Sequence, residues 1–197
     1  MKREDQKIRP AELAFDIDGV VADTFRAFVK TARESYGLEI AYEAITDYDF
    51  RKVIDMDDET SDAIIERILE DPLGMGIAPV EGAVEVLRRL SGMGPLCFVT
   101  ARTNRDAIMA WVRQTLGFFD GECLRLEATG THEEKLPILM KHGIRYFVED
   151  RLDTCYLMQE TPITPIVFDQ PWNRQDHPFW TVRSWEEIQD LIQWDEG

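Results

Sequence analysis

At 197 residues the chain can bury one good core with a small accessory lobe, and it is too short for two full-sized domains. A formal net charge of −16 sets a surface that repels DNA, RNA and anionic membranes at long range, which argues against nucleic-acid polymers and membranes as partners. Cys97, Cys123 and Cys155 are widely spaced and odd in number, so neither a disulfide framework nor a zinc knuckle is expected. With no apolar run of about 18 residues and no leader-like segment, the expectation is a cytoplasmic protein with buried, reduced thiols.

The first predicted element is the apolar run at 12–15, which stops at two carboxylates one residue apart, Asp16 and Asp18, followed by Gly19. On a strand the alternation of side chains puts both acids on one side, where they repel unless a cation sits between them. A hard ion such as Mg²⁺ takes oxygen ligands and commonly meets a protein through one or two carboxylates plus substrate phosphate oxygens. The stretch therefore points to phosphate chemistry, and the acidic whole does not forbid it, because a few cations in a cleft reverse the field locally.

Between residues 24 and 79 no strand is expected. The segment 25–36 is amphipathic and ends at Gly37, while 58–69 opens with acidic and hydroxyl residues and stops at Pro72, so two helices are predicted. The returning stretch 74–79 has the glycines and proline of a hinge, and the bland alternative is a fixed helical layer. Four more apolar runs follow, at 95–100, 123–126, 146–148 and 165–168, with helical spacing at 80–90, 104–116, 133–141 and 151–159. Alternating strands and helices predict an α/β fold with a parallel sheet covered on both faces and ligands outside the carboxyl ends of the strands. Those ends carry Asp16 and Asp18, then Thr100-Ala101-Arg102, then Glu149-Asp150.

The residues Asp16-Ile17-Asp18-Gly19-Val20-Val21-Ala22-Asp23, Val99-Thr100-Ala101-Arg102, Lys135, and Glu149-Asp150-Arg151-Leu152-Asp153 resemble, in order and spacing, the four motifs of the haloacid dehalogenase-like (HAD) hydrolases, over nearly the whole chain. Phe168-Asp169-Gln170-Pro171-Trp172-Asn173-Arg174 resembles the 5′(3′)-deoxyribonucleotidase, or type C 5′-nucleotidase, branch. The resemblance implies a Rossmann-like core of residues 1–23 and 80–197, with a small helical cap of residues 24–79 inserted after the first strand.

By the same resemblance, Asp16 is the nucleophile that becomes an aspartyl phosphate, and Asp18 protonates the leaving alkoxide and then activates the water that clears it. An acid at Asp18 favours a phosphatase over a dehalogenase, since a departing halide needs no proton. Mg²⁺ would be held by the Asp16 carboxylate, the Asp18 main-chain carbonyl and the Asp150 carboxylate. Glu149, longer than the aspartate many relatives carry there, and Asp153 would stand behind them, orienting Lys135 or a water on the metal.

Phosphate would be met by Thr100, Ala101, Arg102 and Lys135, with backbone amides near Asn104 adding to the anion site. A lone threonine after a strand is as often a helix cap, and Arg102 reads equally as a partner of one of the surface acids. Lys135 is preferred to Lys141 because the helix leading into a strand starts at the active edge, and Lys141 lies about 9 Å farther along. His132, His142 and His177 stand singly and read as solvent or capping residues. Trp172 reads as a loop-packing residue, or else as a flank for a base.

The expected activity is a Mg²⁺-dependent phosphomonoesterase on a small phosphorylated metabolite, with (deoxy)nucleoside monophosphates as one class. Phosphosugars and other small metabolites are the second class, and a non-catalytic protein of the same fold is the third. Cap residues Phe25, Phe28, Tyr48 and Phe50 would recognise the leaving group, with stacking worth about 1–3 kcal/mol per base; Phe28 reads more simply as helix core. The branch carries an aromatic residue where this chain has Thr24, and a polar one where it has Ala101, so pyrimidine specificity is not carried over. The sequence sets no oligomeric state.

Overall fold

A computed structural model describes residues 7–118 and 124–194. The strands it contains are β1 (Leu13–Phe15), β2 (Leu96–Thr100), β3 (Leu124–Ala128), β4 (Tyr146–Glu149), β5 (Thr164–Phe168) and β6 (Trp180–Val182). They form one sheet in the order β3-β2-β1-β4-β5-β6 with every pairing parallel. Cys97 and Cys155 are buried free thiols, while Cys123 lies outside the described residues.

Side-chain alternation sorts the central strands into two layers. Leu13, Phe15, Leu96, Phe98, Tyr146 and Val148 join a large apolar cluster with the helices α1 (Thr24–Tyr36), α3 (Ala83–Ser91), α4 (Arg105–Leu116) and α7 (Trp185–Leu191). Ala14, Cys97, Val99 and Phe147 turn the other way, onto Leu139 of α5 (Lys135–Lys141) and Met158 just after α6 (Leu152–Leu157). Burial on both faces is why β1, β2 and β4 read as unbroken apolar runs and not as alternating ones.

Most predicted helices appear with shifted ends that have local causes. Gly37 takes up the left-handed conformation at φ 68° and stops α1 where the sequence says it should. The Asn104 side chain accepts from the Ala107 amide at 3.1 Å and opens α4. The helix expected from residue 80 begins only at Ala83, because the Val80 amide donates to the Val21 carbonyl (2.8 Å) and holds that residue in an extended link. Strand β6 and helix α7 were not anticipated.

Between β1 and α3, the described chain forms α1, α2 (Asp58–Glu70) and two short 3-10 turns, with no strand. Asp57 caps α2 by accepting from the Thr60 amide at 2.8 Å. The chain leaves and returns side by side: Ala22 bridges Pro79 in antiparallel fashion, and the Asp23 amide donates to the Ala78 carbonyl at 2.9 Å. Among the described residues no helix is long and apolar enough to cross a membrane.

Candidate active site

The sheet order reverses at β1, whose neighbours are β2 on one side and β4 on the other, and such a switch point leaves a crevice beyond the carboxyl ends of the strands. Asp16 follows β1 directly, Thr100 ends β2, and Glu149 ends β4, so three strand ends converge on it. Lys135, the first residue of α5, comes to the same place from the opposite layer.

Its floor is a cluster of buried charges. The Lys135 ammonium is fully buried and lies 2.9 Å from Asp16 Oδ2 and 2.9 Å from Glu149 Oε2. Both oxygens of Glu149 are taken, since Oε1 accepts from the Asp150 and Arg151 amides at 3.1 Å each. Burial opposes the lysine charge, but the two carboxylates outweigh it and raise the Lys135 pKa. Burial likewise opposes the Glu149 charge, and Lys135 with the two amides holds its pKa below the usual range. Asp16 goes the other way: burial and then the Glu149 charge push its carboxyl well up, against the pull of Lys135. Asp150 is pushed well up by burial and by Glu149 and Asp16.

One ammonium thus faces three buried carboxylates, and Asp16, Glu149 and Asp150 each bring an oxygen within 4.8 Å of the others. Among the described residues Asp150 Oδ1 is buried without a hydrogen-bond partner, and an orphaned carboxylate oxygen beside two further buried acids is what a hard divalent cation would satisfy. The residues fit such an ion. Asp150 offers it the orphaned oxygen; Asp16, whose Oδ1 accepts from the Ile17 amide at 2.7 Å and whose Oδ2 meets Lys135, accepts one bond at each of its oxygens, whereas Glu149 Oε1 already accepts two backbone amides.

Asp18 stands apart from this cluster. Arg102 grips it with two bonds, Nε to Oδ2 at 2.9 Å and a terminal nitrogen to Oδ1 at 2.7 Å, and the Thr24 hydroxyl donates to Oδ1 at 2.5 Å. Burial works against the Asp18 charge, yet Arg102 and Thr24 keep its pKa below the usual carboxylate range. The cation that neutralises this carboxylate is the chain's own guanidinium and not an ion shared with Asp16. Arg102 thus pairs with a buried acid of the cavity and not with one on the surface, and its remaining arm donates to the Ile68 carbonyl of α2 at 3.0 Å.

Above the floor is a cavity of about 620 Å³ lined by Asp16, Asp18, Thr100, Ala101, Arg102 and Lys135 from the sheet edge. Phe25, Phe28, Tyr48, Phe50 and Ile65 line it from the 24–79 segment. Thr100 is fully buried, and its hydroxyl accepts from the Arg102 amide at 3.3 Å. Two residues that line the cavity carried no functional signal in the sequence: Arg151, over the Tyr48 ring at 4.7 Å, and His132, whose ring stands edge-on to Tyr48 at 5.9 Å. Burial, then Lys135 and Arg151, push the His132 pKa down to about 4. Asp153 is not brought into the cluster; its side chain is 80% exposed and pairs with Arg151 at 3.1 Å, because its place in the first turn of α6 faces solvent.

A sequence model of the 5′ nucleotidase, deoxy (pyrimidine), cytosolic type C family matches residues 9–195. The chain belongs to that family. It is a phosphatase of the HAD-like nucleotidase kind, and similar proteins agree. A candidate nucleotidase of Halalkalibacterium halodurans, BH1399, is 29% identical over 172 residues, covering 85% of this chain and 84% of the relative. Among solved structures, a candidate phosphatase from Clostridium difficile superposes with a TM-score of 0.59 at 14% identity, over 95% of this chain and all of that one. A HAD-superfamily hydrolase from Ehrlichia chaffeensis gives 0.55 at 14% identity, over 93% and 96% of the two chains.

In this nucleotidase-family chain, Trp172 touches the acidic cluster, a contact that the sequence does not disclose. Its indole N–H donates to Asp150 Oδ2 at 3.1 Å, and its ring lies 4.2 Å from that of Phe25. Thr24 stands where the branch carries an aromatic residue, and its hydroxyl holds Asp18. His142 and His177 do not line the cavity: the first pairs with Glu127 at 2.9 Å and the second accepts from the Phe179 amide at 3.3 Å.

Proposed function

We propose that the chain is a Mg²⁺-dependent phosphomonoesterase that hydrolyses small nucleoside monophosphates through an aspartyl-phosphate intermediate on Asp16. The observation that carries this reading is the split environment of two carboxylates two positions apart. Asp16 is set beside a buried ammonium and next to the orphaned oxygen of Asp150, while Asp18 is held by Arg102 and Thr24 at the same cavity.

An Asp16 oxygen attacks phosphorus, the ester P–O bond breaks, and the leaving alkoxide takes a proton from the Asp18 carboxyl, which carries that proton only once the bound substrate has drawn Arg102 away from it. Water then attacks the acyl phosphate, Asp18 takes up its proton, and inorganic phosphate departs with Asp16 regenerated. Thr100 and Lys135 supply donors to the phosphate oxygens, and Glu149 keeps Lys135 in place. A divalent cation held by the Asp16 and Asp150 carboxylates and the Asp18 carbonyl would offset the charge that builds as two anions meet. Residues 24–79 act as a cap that shields the step from water, and Cys97 and Cys155 suit a reducing cytoplasm.

The substrate class rests on the cavity. Its volume lies in the range that encloses one small ligand, and Phe25, Tyr48 and Phe50 give it aromatic walls opposite the anionic floor. The family description and the names of relatives point the same way. Initial rates on deoxynucleoside and nucleoside monophosphates, sugar phosphates and glycerol phosphate, with Mg²⁺ and with EDTA, test the reading. Nucleoside monophosphates should lead the panel in kcat/KM and EDTA should silence all of it. Sugar phosphates in the lead would move the substrate class, and full activity after chelation would remove the cation.

A further inference from the structure

The Gln170–Asn173 turn takes part in none of these steps, yet its polar side chains reach the two loops that carry Gly19 and Asp150. It is a single 3-10 turn begun by Pro171 and closed on itself, with the Gln170 amide donating to Asn173 Oδ1 at 3.0 Å. Gln170 Nε2 donates to the Gly19 carbonyl at 2.7 Å, and Asn173 Nδ2 donates to the Asp150 carbonyl at 2.7 Å. The turn therefore ties the loop after β1 to the loop after β4. Between them, Gly19, at φ 72°, lies so close that a Cβ there would come within 2.0 Å of Asp150 Oδ2.

Trp172 completes the arrangement. Buried at 3% exposure, its indole N–H meets Asp150 Oδ2, and Oδ1 is left without a partner. An indole N–H is a donor only and cannot itself ligate a cation, so it assigns the two oxygens unequal roles. We propose that Trp172 is a positioning residue that presents Asp150 to a divalent cation through Oδ1 alone, with Gln170 and Asn173 fixing the backbone on either side. The proposal rests on the cation reading above. Its chemical consequence is selectivity: Mg²⁺ demands compact octahedral coordination by single oxygens, whereas Ca²⁺ accepts a bidentate carboxylate in a looser shell. A donor on Oδ2 disfavours bidentate ligation and so favours the smaller ion.

Trp172→Phe keeps the ring against Phe25 and removes the N–H. Titration calorimetry of the substrate-free protein with Mg²⁺ and, separately, with Ca²⁺ reads the effect directly. The Mg²⁺ dissociation constant should rise about tenfold or more, as for other outer contacts to metal ligands, and the Ca²⁺ constant should change less. Turnover lost at low Mg²⁺ should return as Mg²⁺ is raised. Unchanged Mg²⁺ affinity, or an equal fall for both ions, overturns the assignment and leaves Trp172 as packing. A wild-type protein that binds neither ion overturns the cation reading itself, while one that binds Mg²⁺ but hydrolyses no phosphate ester overturns only the proposed reaction. Should the phenylalanine variant not fold, Gln170→Met probes the same turn from its other end; weaker Mg²⁺ binding is expected, and unchanged binding counts against the proposal.

Discussion

The floor and the roof of the cavity are built on opposite principles. On the floor, the buried Lys135 ammonium is held between the buried carboxylates of Asp16 and Glu149 at 2.9 Å each, and its loss leaves both acids unbalanced. The roof is aromatic: Phe25 lies between Tyr48, Phe50 and Trp172 in tilted and edge-on contacts at 4.2–6.3 Å, and such contacts tolerate exchange. Chemistry is thus fixed by a network with little slack, and recognition by a surface with much more.

The comparison breaks if the two regions respond alike. On the floor, Asp16→Asn should lower turnover of p-nitrophenyl phosphate by about 10⁴-fold or more, as removal of a nucleophile does, with the thermal midpoint held. Near-normal turnover would exclude Asp16 as nucleophile. Lys135→Met should cost about 3–5 kcal/mol in urea unfolding, because Asp16 and Glu149 lose the charge between them. A loss below about 1 kcal/mol would show that those acids find other compensation. On the roof, Tyr48→Leu should raise KM for a nucleoside monophosphate by about tenfold, the lower half of the range for one stacked base, and leave glycerol phosphate unaffected. An equal change for both esters would make Tyr48 structural.

The sheet and its chemistry were legible where a strand is central. β1, β2, β4 and β5, and the edge strand β3 with them, are apolar enough to stand out; the acids and the threonine follow from strand ends, and the lysine from the start of a helix. β6 was not, since it has three residues with Thr181 exposed, and α7 behind it is only seven residues long. Contacts far apart in sequence were legible least. Nothing near Arg102 announces that Asp18, 84 positions earlier, will occupy it, and the Trp172 indole meets an acid 22 positions away. The resemblance drew attention to the segment around Trp172 without saying what it holds. Asp153 shows the converse, a residue to which the resemblance gives a supporting role and which the helix turns towards solvent.

Residues 22 and 79 lie side by side, with Asp23 bonded to the Ala78 carbonyl and Val80 to the Val21 carbonyl, so the intervening chain leaves and re-enters the sheet layer at a single doorway. Insertions or deletions beyond that doorway leave every strand in register, because no sheet pairing depends on how far the chain travels before it comes back. The arrangement separates two kinds of evolutionary drift: what the pocket accepts is free to wander with the detour, while the acids at the strand tips stay where the sheet has set them.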